Sequence, residues 1–445
     1  MKCAKCDEVA VKGSKYCIWH IKKERKKFYK LEIKHKRIEG AYLVKSEFVD
    51  AILDDCDFID CDLRGTKFLN VKVKNSNFLR KKERKIDFSE LKFFNVVLYN
   101  CRFEEADMAD CEMDSSEIIQ SVFYKVDLSG TKMHNLKIEN CSLEGKETDL
   151  SNIRIQESEI RNSNFIFNDT SYSYFSKVRI EGCDFTEASL DKSFFTETEL
   201  LDSDFCNADI TSAMWKGVKI INCDFDKACL VNADLSYSEM RNTVFSNSDL
   251  TGSIFKEVSF QNTTFNNSTL KNAAIDEIVR EEKLANKVKD KNRKRQLYER
   301  AESTYREFKN YFHREGIYDR SSYYHYREKL MNRKKRSFRD PMKYISFAVD
   351  KLYGYGEKPF RLIAWWILSI VIFSTLYTWN CPSFEVFLHS MYFSYQAFFG
   401  LPTTQSPLAG VSSGLLTVLA IAESIIGKIF ITLFIAILSR KTMHL

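Results

Sequence analysis

Hydrophobic residues recur at every fifth position over about half of this chain. The pattern begins at Phe48 and continues through Leu53 and Phe58 to Ile275, with a break at Glu83 and a slip of two residues near position 145. A period of five fits neither an amphipathic helix nor a strand. It predicts a solenoid in which each five-residue unit forms one side of a coil and stacked coils share one continuous core.

A small residue lies two positions before most of these hydrophobic residues, and the positions between them are mostly polar or charged. Seven cysteines occupy this small position: Cys56, Cys61, Cys101, Cys111, Cys141, Cys183 and Cys223. A buried cysteine behaves as a small hydrophobe. We therefore expect free thiols rather than disulfides, and a reducing cytoplasm around the solenoid.

The units Cys223-Asp224-Phe225 and Ala233-Asp234-Leu235 resemble pentapeptide repeats. The fold of that family is a right-handed four-sided parallel β-helix, so the resemblance implies this fold for residues 48–275. With about 4.8 Å between stacked strands, the solenoid would be a rod about 50–55 Å long. The basic run at 80–85 and the slip near 145 are expected to form loops or a kink.

The first twenty residues contain four side chains of the types that bind metals: Cys3, Cys6, Cys17 and His20. Their Cys-x2-Cys-x10-Cys-x2-His spacing can close a tetrahedral zinc site, and it resembles small zinc fingers of the Cys-x2-Cys…Cys-x2-His type. In so short a segment a structural zinc ion would supply most of the folding energy. The alternative is a basic tail with unrelated cysteines. We predict a zinc-finger-like segment at 1–30 and a helical lead-in at 31–47, with no secretory signal because the first forty residues lack an apolar core.

After Ile275 the hydrophobic period becomes helical. Leu297, Ala301 and Tyr305 begin an apolar stripe on a charged helix that we expect to stop at Gly316. A second helix begins near Asp319. Because few residues connect the two, they are predicted to pack as an antiparallel hairpin within a helical linker at 276–345.

Residues 346–445 are predicted to form a membrane domain. Segments 362–379 and 415–438 are long and apolar enough to span a bilayer. Basic residues flank their outer ends, and only Glu385 is charged between them. The positive-inside rule then predicts a multi-pass protein of the cell (inner) membrane with both termini in the cytoplasm.

Between the two spans, residues 384–407 contain an apolar helix of half-span length and then an irregular segment with Gly and Pro. Irregular backbone at membrane depth must line a cavity or be buried in protein. This order resembles the two-span potassium-channel superfamily, whose members assemble as tetramers around the loop. The motifs Tyr305-Arg306-Glu307-Phe308-Lys309 and Glu423-Ser424-Ile425-Ile426-Gly427 resemble prokaryotic channels that join a pentapeptide-repeat domain to such a pore. The resemblance implies a homo-oligomer, most simply a tetramer, in a lipid membrane, with monovalent cations as permeant ions.

The residues at the filter position depart from the potassium-channel pattern: Phe398, Phe399, Gly400, Leu401, Pro402, Thr403 and Thr404. A potassium filter stacks backbone carbonyls and needs glycines at alternating positions. Only Gly400 is present, so we expect poor discrimination between potassium and sodium. Gly354-Tyr355-Gly356 has the letters of a filter but precedes the first span, and it is expected to form a turn.

Three residues of the second span are predicted to line the pore or to form a gate: Glu423, Gly427 and Lys428. Ionisable residues are costly inside a membrane and mark function by default. The alternative is a structural pair between neighbouring subunits, although two residues five apart point away from each other on one helix. Gly427 either permits a bend or serves a tight helix crossing.

Together these features predict an oligomeric ion channel with a cytoplasmic sensor or scaffold domain, whose ligand or protein partner the sequence does not name. Two alternatives remain: a defence-type effector that opens a leak on sensing a cytoplasmic trigger, and a membrane-anchored scaffold without conduction. No enzyme is expected, because the chain has no Gly-rich phosphate loop, nucleophile motif or carboxylate pair. The net charge is only +6, and nucleic acid is not expected as a partner.

Overall fold

The computed structural model describes residues 2–81, 86–378, 383–401 and 413–442. The chain divides into two compact units, Met1–Arg280 and Glu281–Leu445. The first unit is built from short β-strands and the second from α-helices.

The strands of the first unit are mostly three residues long. They are β1 (Lys27–Tyr29), β2 (Glu32–Glu39), β3 (Glu47–Val49), β4 (Ile52–Ile59), β5 (Lys67–Leu69), β6 (Lys72–Lys74), β7 (Asn77–Leu79), β8 (Ile86–Asp87), β9 (Lys92–Phe94), β10 (Val97–Tyr99), β11 (Arg102–Glu104), β12 (Ala106–Asp107), β13 (Glu112–Asp114), β14 (Glu117–Ile119), β15 (Val122–Tyr124), β16 (Lys132–His134), β17 (Lys137–Glu139), β18 (Arg154–Gln156), β19 (Glu159–Arg161), β20 (Tyr174–Ser176), β21 (Arg179–Glu181), β22 (Phe194–Thr196), β23 (Glu199–Leu201), β24 (Met214–Lys216), β25 (Lys219–Ile221), β26 (Glu239–Arg241), β27 (Ile254–Phe255), β28 (Ser259–Gln261) and β29 (Ala274–Ile275).

These strands pair in parallel with the strand one turn away, and the turns form a β-solenoid of about 12 coils. Phe48 pairs with Phe68, so one coil takes twenty residues, or four five-residue units. The register lengthens to twenty-five where Phe68 pairs with Phe93, and to twenty-two where Met133 pairs with Ile155. The register thus requires five extra residues near 80–85, of which 82–85 lie outside the described residues, and two extra residues near 145, where the sequence predicts breaks in the repeat.

The hydrophobic residues at every fifth position form the core, because like side chains stack directly on one another from coil to coil. Phe225 is fully buried and lies 4.9 Å, ring to ring, from both Phe205 and Phe245. Thr170 is a polar residue at one of these inward positions; it is also buried, and its hydroxyl donates to the Ser189 carbonyl at 2.8 Å. The inward-facing cysteines use their thiols in the same way, as in the bond from Cys223 to the Leu200 carbonyl.

The corners of the coil need residues in the left-handed backbone region, and the sequence supplies them at every fifth position. Asp50, Asp55 and Asp60 have φ of 52°, 51° and 49°. Asn, Asp and Gly tolerate this region best. Side-chain amides at corners also bond along the rod: Asn262 donates to Asn242 at 3.0 Å, and Asn242 to Asn222 at 2.9 Å.

The predicted helical lead-in at 31–47 is wrong, because this segment contains β2 and the start of β3. Phe28, Ile33, Ile38 and Leu43 are buried in the same five-residue phase. The Phe28 ring stacks on the Phe48 ring at 4.6 Å, so Phe28 is a core residue of an additional coil before the predicted start. The solenoid therefore begins at Lys27, and outward-facing Lys and Glu side chains gave the segment its helix-like composition.

The helices of the second unit and its lead-in are α1 (Arg280–Lys287), α2 (Lys291–Arg314), α3 (Tyr318–Lys335), α4 (Pro341–Tyr353), α5 (Phe360–Tyr377), α6 (Phe384–Phe399) and α7 (Ser413–Thr442), with a 3-10 turn at Gly354–Gly356. The predicted antiparallel hairpin is confirmed by α2 and α3, across which Arg306 pairs with Glu328 and Glu302 with Asn332. Gly354-Tyr355-Gly356 forms a turn, as predicted.

Buried carboxylates hold this hairpin together. Glu282 of α1 accepts from Tyr305 of α2 at 2.8 Å and from Lys334 of α3 at 3.0 Å. Glu328 pairs with Arg306 and Lys309 at 2.9 and 3.0 Å. Each basic residue of the run at the end of α3, positions 333–336, forms an ion pair with a carboxylate of the same unit.

Among the residues that the structure describes, two helices are long and apolar enough to cross a membrane, judged by length and composition: Phe360–Tyr377 and, within α7, Leu416–Ser439. They overlap the predicted spans at 362–379 and 415–438. Helix α6 covers the first part of the predicted pore segment at 384–407. The remainder of that segment, from residue 402, lies outside the described residues.

Candidate functional site

The predicted metal ligands come together at the start of the solenoid. Cys3, Cys6, Cys17 and His20 place their ligand atoms within 4.8 Å of one another. His20 Nδ1 lies 3.4 Å from the sulfurs of Cys3 and Cys6 and 3.2 Å from that of Cys17. Neighbouring ligands of a tetrahedral zinc ion, with bonds of about 2.0–2.3 Å, are about 3.5 Å apart. The four side chains therefore lie close enough together to bind a metal ion.

Two local turns position these ligands. The Lys5 N–H points at the Cys3 sulfur at 3.4 Å, and the His20 N–H donates to the Cys17 carbonyl at 3.1 Å. His20 Nε2 lies 2.6 Å from the Glu39 carbonyl of β2. A histidine that donates one ring nitrogen to a carbonyl presents the other, here Nδ1, to a metal.

The cluster packs on the end of the solenoid core. The Trp19 ring stacks on Phe28 at 5.1 Å, and the Tyr42 N–H donates to the Trp19 carbonyl at 2.9 Å. Lys26 is buried next to these two residues, and its ammonium donates hydrogen bonds to the main-chain carbonyls of Trp19 and Tyr42. Burial lowers the pKa of Lys26 to about 8, although the nearby Cys17 partly opposes this shift.

The pKa values of Cys3 and Cys6 are shifted in opposite directions. Burial opposes ionisation of Cys3, but backbone hydrogen bonds from Cys17 and Lys5 outweigh it and lower the pKa of Cys3 to about 6. Burial, together with the neighbouring thiols, raises the pKa of Cys6 to about 11. A bound cation would favour the thiolate form of Cys6 despite this burial.

In the second unit, those predicted pore residues that the structure describes lie where α6 ends against the middle of α7. Phe398 is fully buried, and its carbonyl oxygen would be 1.9 Å from a Cβ placed on Gly427. Gly427 therefore serves a tight helix crossing, one of the two roles open for it. Gly400 ends α6 in the left-handed conformation, with φ 67°.

Lys428 is exposed and lies beside this turn. Its Cε is 3.8 Å from a Cβ placed on Gly400. Phe399 and Leu401 are also exposed at the end of α6. Pro402, Thr403 and Thr404 lie outside the described residues.

Glu423 is fully buried and bonds within its own chain rather than to Lys428. It accepts a hydrogen bond from the Tyr377 hydroxyl of α5 at 2.8 Å and another from the Ser394 hydroxyl of α6. One carboxyl group on α7 thereby joins three helices. Sequence reasoning missed Tyr377 and Ser394, because a lone hydroxyl in an apolar helix carries no spacing signal.

A model of the pentapeptide-repeat family matches the chain with eight copies, at residues 37–78, 173–211, 198–236 and 228–267. These ranges coincide with regular coils of the solenoid. The β-solenoid is a pentapeptide-repeat domain. All four matched ranges lie in the first unit, and none reaches the helices.

Several solved structures resemble the pentapeptide-repeat domain at low identity. HetL, a pentapeptide repeat protein involved in heterocyst differentiation regulation in the cyanobacterium Nostoc sp. Strain PCC 7120, is 15% identical and covers 58% of this chain and 90% of its own, with a TM-score of 0.24. QnrB1, a plasmid-mediated fluoroquinolone resistance protein, is 17% identical over 53% of this chain and 93% of its own, with a TM-score of 0.16. Rfr23 from the cyanobacterium Cyanothece 51142 is 12% identical over 36% and 91%, also with a TM-score of 0.16. At such scores these likenesses add nothing to the repeats and strand pairing. No curated protein matches the chain.

Proposed function

We propose that this protein is an oligomeric membrane ion channel in which the pentapeptide-repeat domain is a cytoplasmic sensor or scaffold. The observation that carries the proposal is the placement of α6 between two apolar helices. With 16 residues, α6 is about 24 Å long at 1.5 Å per residue. It is too short to cross a hydrocarbon core of about 30 Å, yet it is held between α5 and α7.

The buried Glu423 gives this placement a physical basis. An isolated carboxylate in an apolar helical bundle is costly, and the Tyr377 and Ser394 hydroxyls offset that cost by hydrogen bonding. These bonds need α5, α6 and α7 at one level. A short helix fixed in this way brings its C-terminal turn at Gly400 to membrane depth, as a pore loop requires.

The outer surfaces of α5 and α7 support both a membrane and an assembly. Ile367 and Ile372 on α5 and Ile421, Ile425 and Ile429 on α7 are all exposed in the single chain. Lipid and further copies of the chain would cover them. We propose a tetramer in the cell (inner) membrane, with two spans, both termini cytoplasmic and no enzymatic activity.

Monovalent cations are the permeant ions in this proposal, with poor discrimination between potassium and sodium. One glycine at position 400 cannot present stacked rings of carbonyls. Lys428 beside it adds a positive charge that disfavours tight binding of a bare cation. The unassigned ligand or protein partner of the solenoid would set whether the pore opens.

The test is a recording from purified full-length protein in planar bilayers. With potassium chloride on one side and sodium chloride on the other, we expect currents that reverse near zero. A reversal potential that follows potassium would overturn the low selectivity. Silence under all conditions would favour a non-conducting membrane-anchored scaffold, while a large leak to small organic solutes would favour a defence-type effector.

We also propose structural zinc at Cys3, Cys6, Cys17 and His20. The spacing of the four ligand atoms and the direction of His20 Nδ1 toward the thiols both suit a bound zinc ion. With three thiolates and one imidazole, the zinc group would have net charge −1, which the buried ammonium of Lys26 would balance. Elemental analysis should find one zinc per chain, and Cys17→Ala should lose it. The exposed Tyr16→Ala beside it should retain the metal. Equal metal content in Cys17→Ala and the parent would contradict this site.

A further inference from the structure

Helix α4 presents its polar side to the protein and its apolar side outward. Asp350 is buried; its carboxylate accepts a hydrogen bond from the Tyr326 hydroxyl at 3.0 Å and forms an ion pair with Arg333 at 2.9 Å, both on α3. Arg361 at the start of α5 lies 3.5 Å from the same carboxylate and donates to the Asp350 carbonyl at 2.7 Å. These bonds fix the rotation of α4 about its axis.

A different side of α4 carries an apolar stripe. Met342, Ile345, Val349 and Leu352 follow one another at steps of three and four residues, which places them on one face of a helix. Met342 and Ile345 are 50% and 55% exposed, and none of the four is buried. An amphipathic helix in a protein normally turns this side to the core. Here the charge cluster around Asp350 prevents it.

The surroundings of the stripe indicate what covers it. Helix α4 leads through one short turn into the apolar α5, and the Trp365 indole N–H of α5 donates to the Lys351 carbonyl of α4 at 3.1 Å. Tryptophan is enriched at the membrane–water boundary. Arg339 is exposed in the turn that precedes α4, and Lys351 is exposed in its last turn. An outward apolar stripe flanked by basic side chains at that level is the arrangement of a helix that lies in a membrane surface.

We propose that α4 binds an anionic lipid surface through Met342, Ile345, Val349 and Leu352. The inference rests on the proposed membrane location of α5 and goes beyond it, because it assigns a lipid-binding surface to a helix that does not span. Asp350 and its arginine partners then join this surface helix to the α2–α3 hairpin on one side and to α5 on the other.

The test uses full-length protein in vesicles of phosphatidylcholine containing phosphatidylglycerol. A photoreactive residue is introduced as Ile345→p-benzoylphenylalanine, and mass spectrometry identifies the adduct after irradiation. Ile367→p-benzoylphenylalanine reports on insertion of α5, since Ile367 is 61% exposed, and Tyr237→p-benzoylphenylalanine is the matched control on the solenoid, where Tyr237 is equally exposed at 61%.

We expect lipid adducts at positions 345 and 367 and none at 237. Removing phosphatidylglycerol should lower the yield at 345 by up to about thirtyfold, as each of the two basic side chains contributes about 1 kcal/mol near an anionic surface, and should leave 367 unchanged. A lipid adduct at 367 with none at 345, or a crosslink from 345 to a second copy, would overturn the inference and leave the channel proposal intact. Absence of lipid adducts at both positions would refute the membrane location itself. A yield at 345 independent of phosphatidylglycerol would overturn the preference for anionic lipid.

Discussion

Two adjacent phenylalanines of β22 allow the inward and outward sides of the solenoid to be compared directly. Phe195 is fully buried, whereas Phe194 is 38% exposed on the outer face of the same strand. The Phe195 ring lies 4.4 Å from both Phe175 and Trp215. We predict that Phe195→Ala strongly destabilises the coils around β22 and that Phe194→Ala has only a small effect.

The expected magnitudes follow from these contacts. Replacing a buried phenylalanine by alanine costs about 3–5 kcal/mol, because hydrophobic burial is lost and a cavity remains. The cross-strand neighbours of Phe194 are Tyr174 and Met214. Such pairs contribute about 0.2–1 kcal/mol each, so its replacement should cost about 1 kcal/mol.

Hydrogen exchange on the full-length protein, followed by mass spectrometry, measures this difference locally. Since about 1.4 kcal/mol corresponds to a factor of ten, Phe195→Ala should accelerate exchange in β20, β22 and β24 by about a hundredfold or more. Phe194→Ala should accelerate it less than about tenfold. Because each coil contacts only its neighbours, exchange in β4 should change little in either variant.

Similar acceleration by the two variants would refute the assignment of the inward face. Equal acceleration throughout the solenoid would instead refute the neighbour-by-neighbour description of its stability.

Three further predictions concern the helical unit. Burial opposes ionisation of Glu328, but hydrogen bonds from its two cationic partners hold its pKa below the ordinary 4.5, so its contribution is complete above pH 4.5 and is lost as the pH falls through the lower folded-state value. Glu328→Gln should flatten the acid dependence of hydrogen exchange in α3 relative to the parent, and an identical acid profile would contradict this. Gly427→Ala should abolish current, because its Cβ would overlap the Phe398 carbonyl; currents like those of the parent would show that α6 and α7 do not cross here in the conducting state. Lys428→Ala should raise cation conductance without loss of stability, since the side chain is exposed; unchanged conductance and gating with normal folding would place Lys428 away from the ion path.

The repeat was predictable from the sequence because it is encoded locally. Every five-residue unit uses the same inward position, so the phase alone identifies the core, and changes of phase locate the insertions near 80–85 and 145. The antiparallel α2–α3 hairpin and the proximity of Cys3, Cys6, Cys17 and His20 were predictable for the same reason, since short spacings limit their geometry. The start of the solenoid was within reach as well: Phe28, Ile33 and Ile38 continue the phase, but the charged residues around them resembled a helix.

Only the tertiary structure decided which groups satisfy the buried charges. Glu423 stood out in the sequence, yet its partners Tyr377 and Ser394 are 46 and 29 residues away, on other helices. Asp350 likewise meets Arg333 and turns α4 outward, which reverses the orientation that its apolar stripe alone would suggest. Periodicity records which side of an element is apolar. It does not record the partner across a helix interface, because hydrogen bonds and ion pairs between helices depend on rotation and crossing angle, and these are set only when the elements pack.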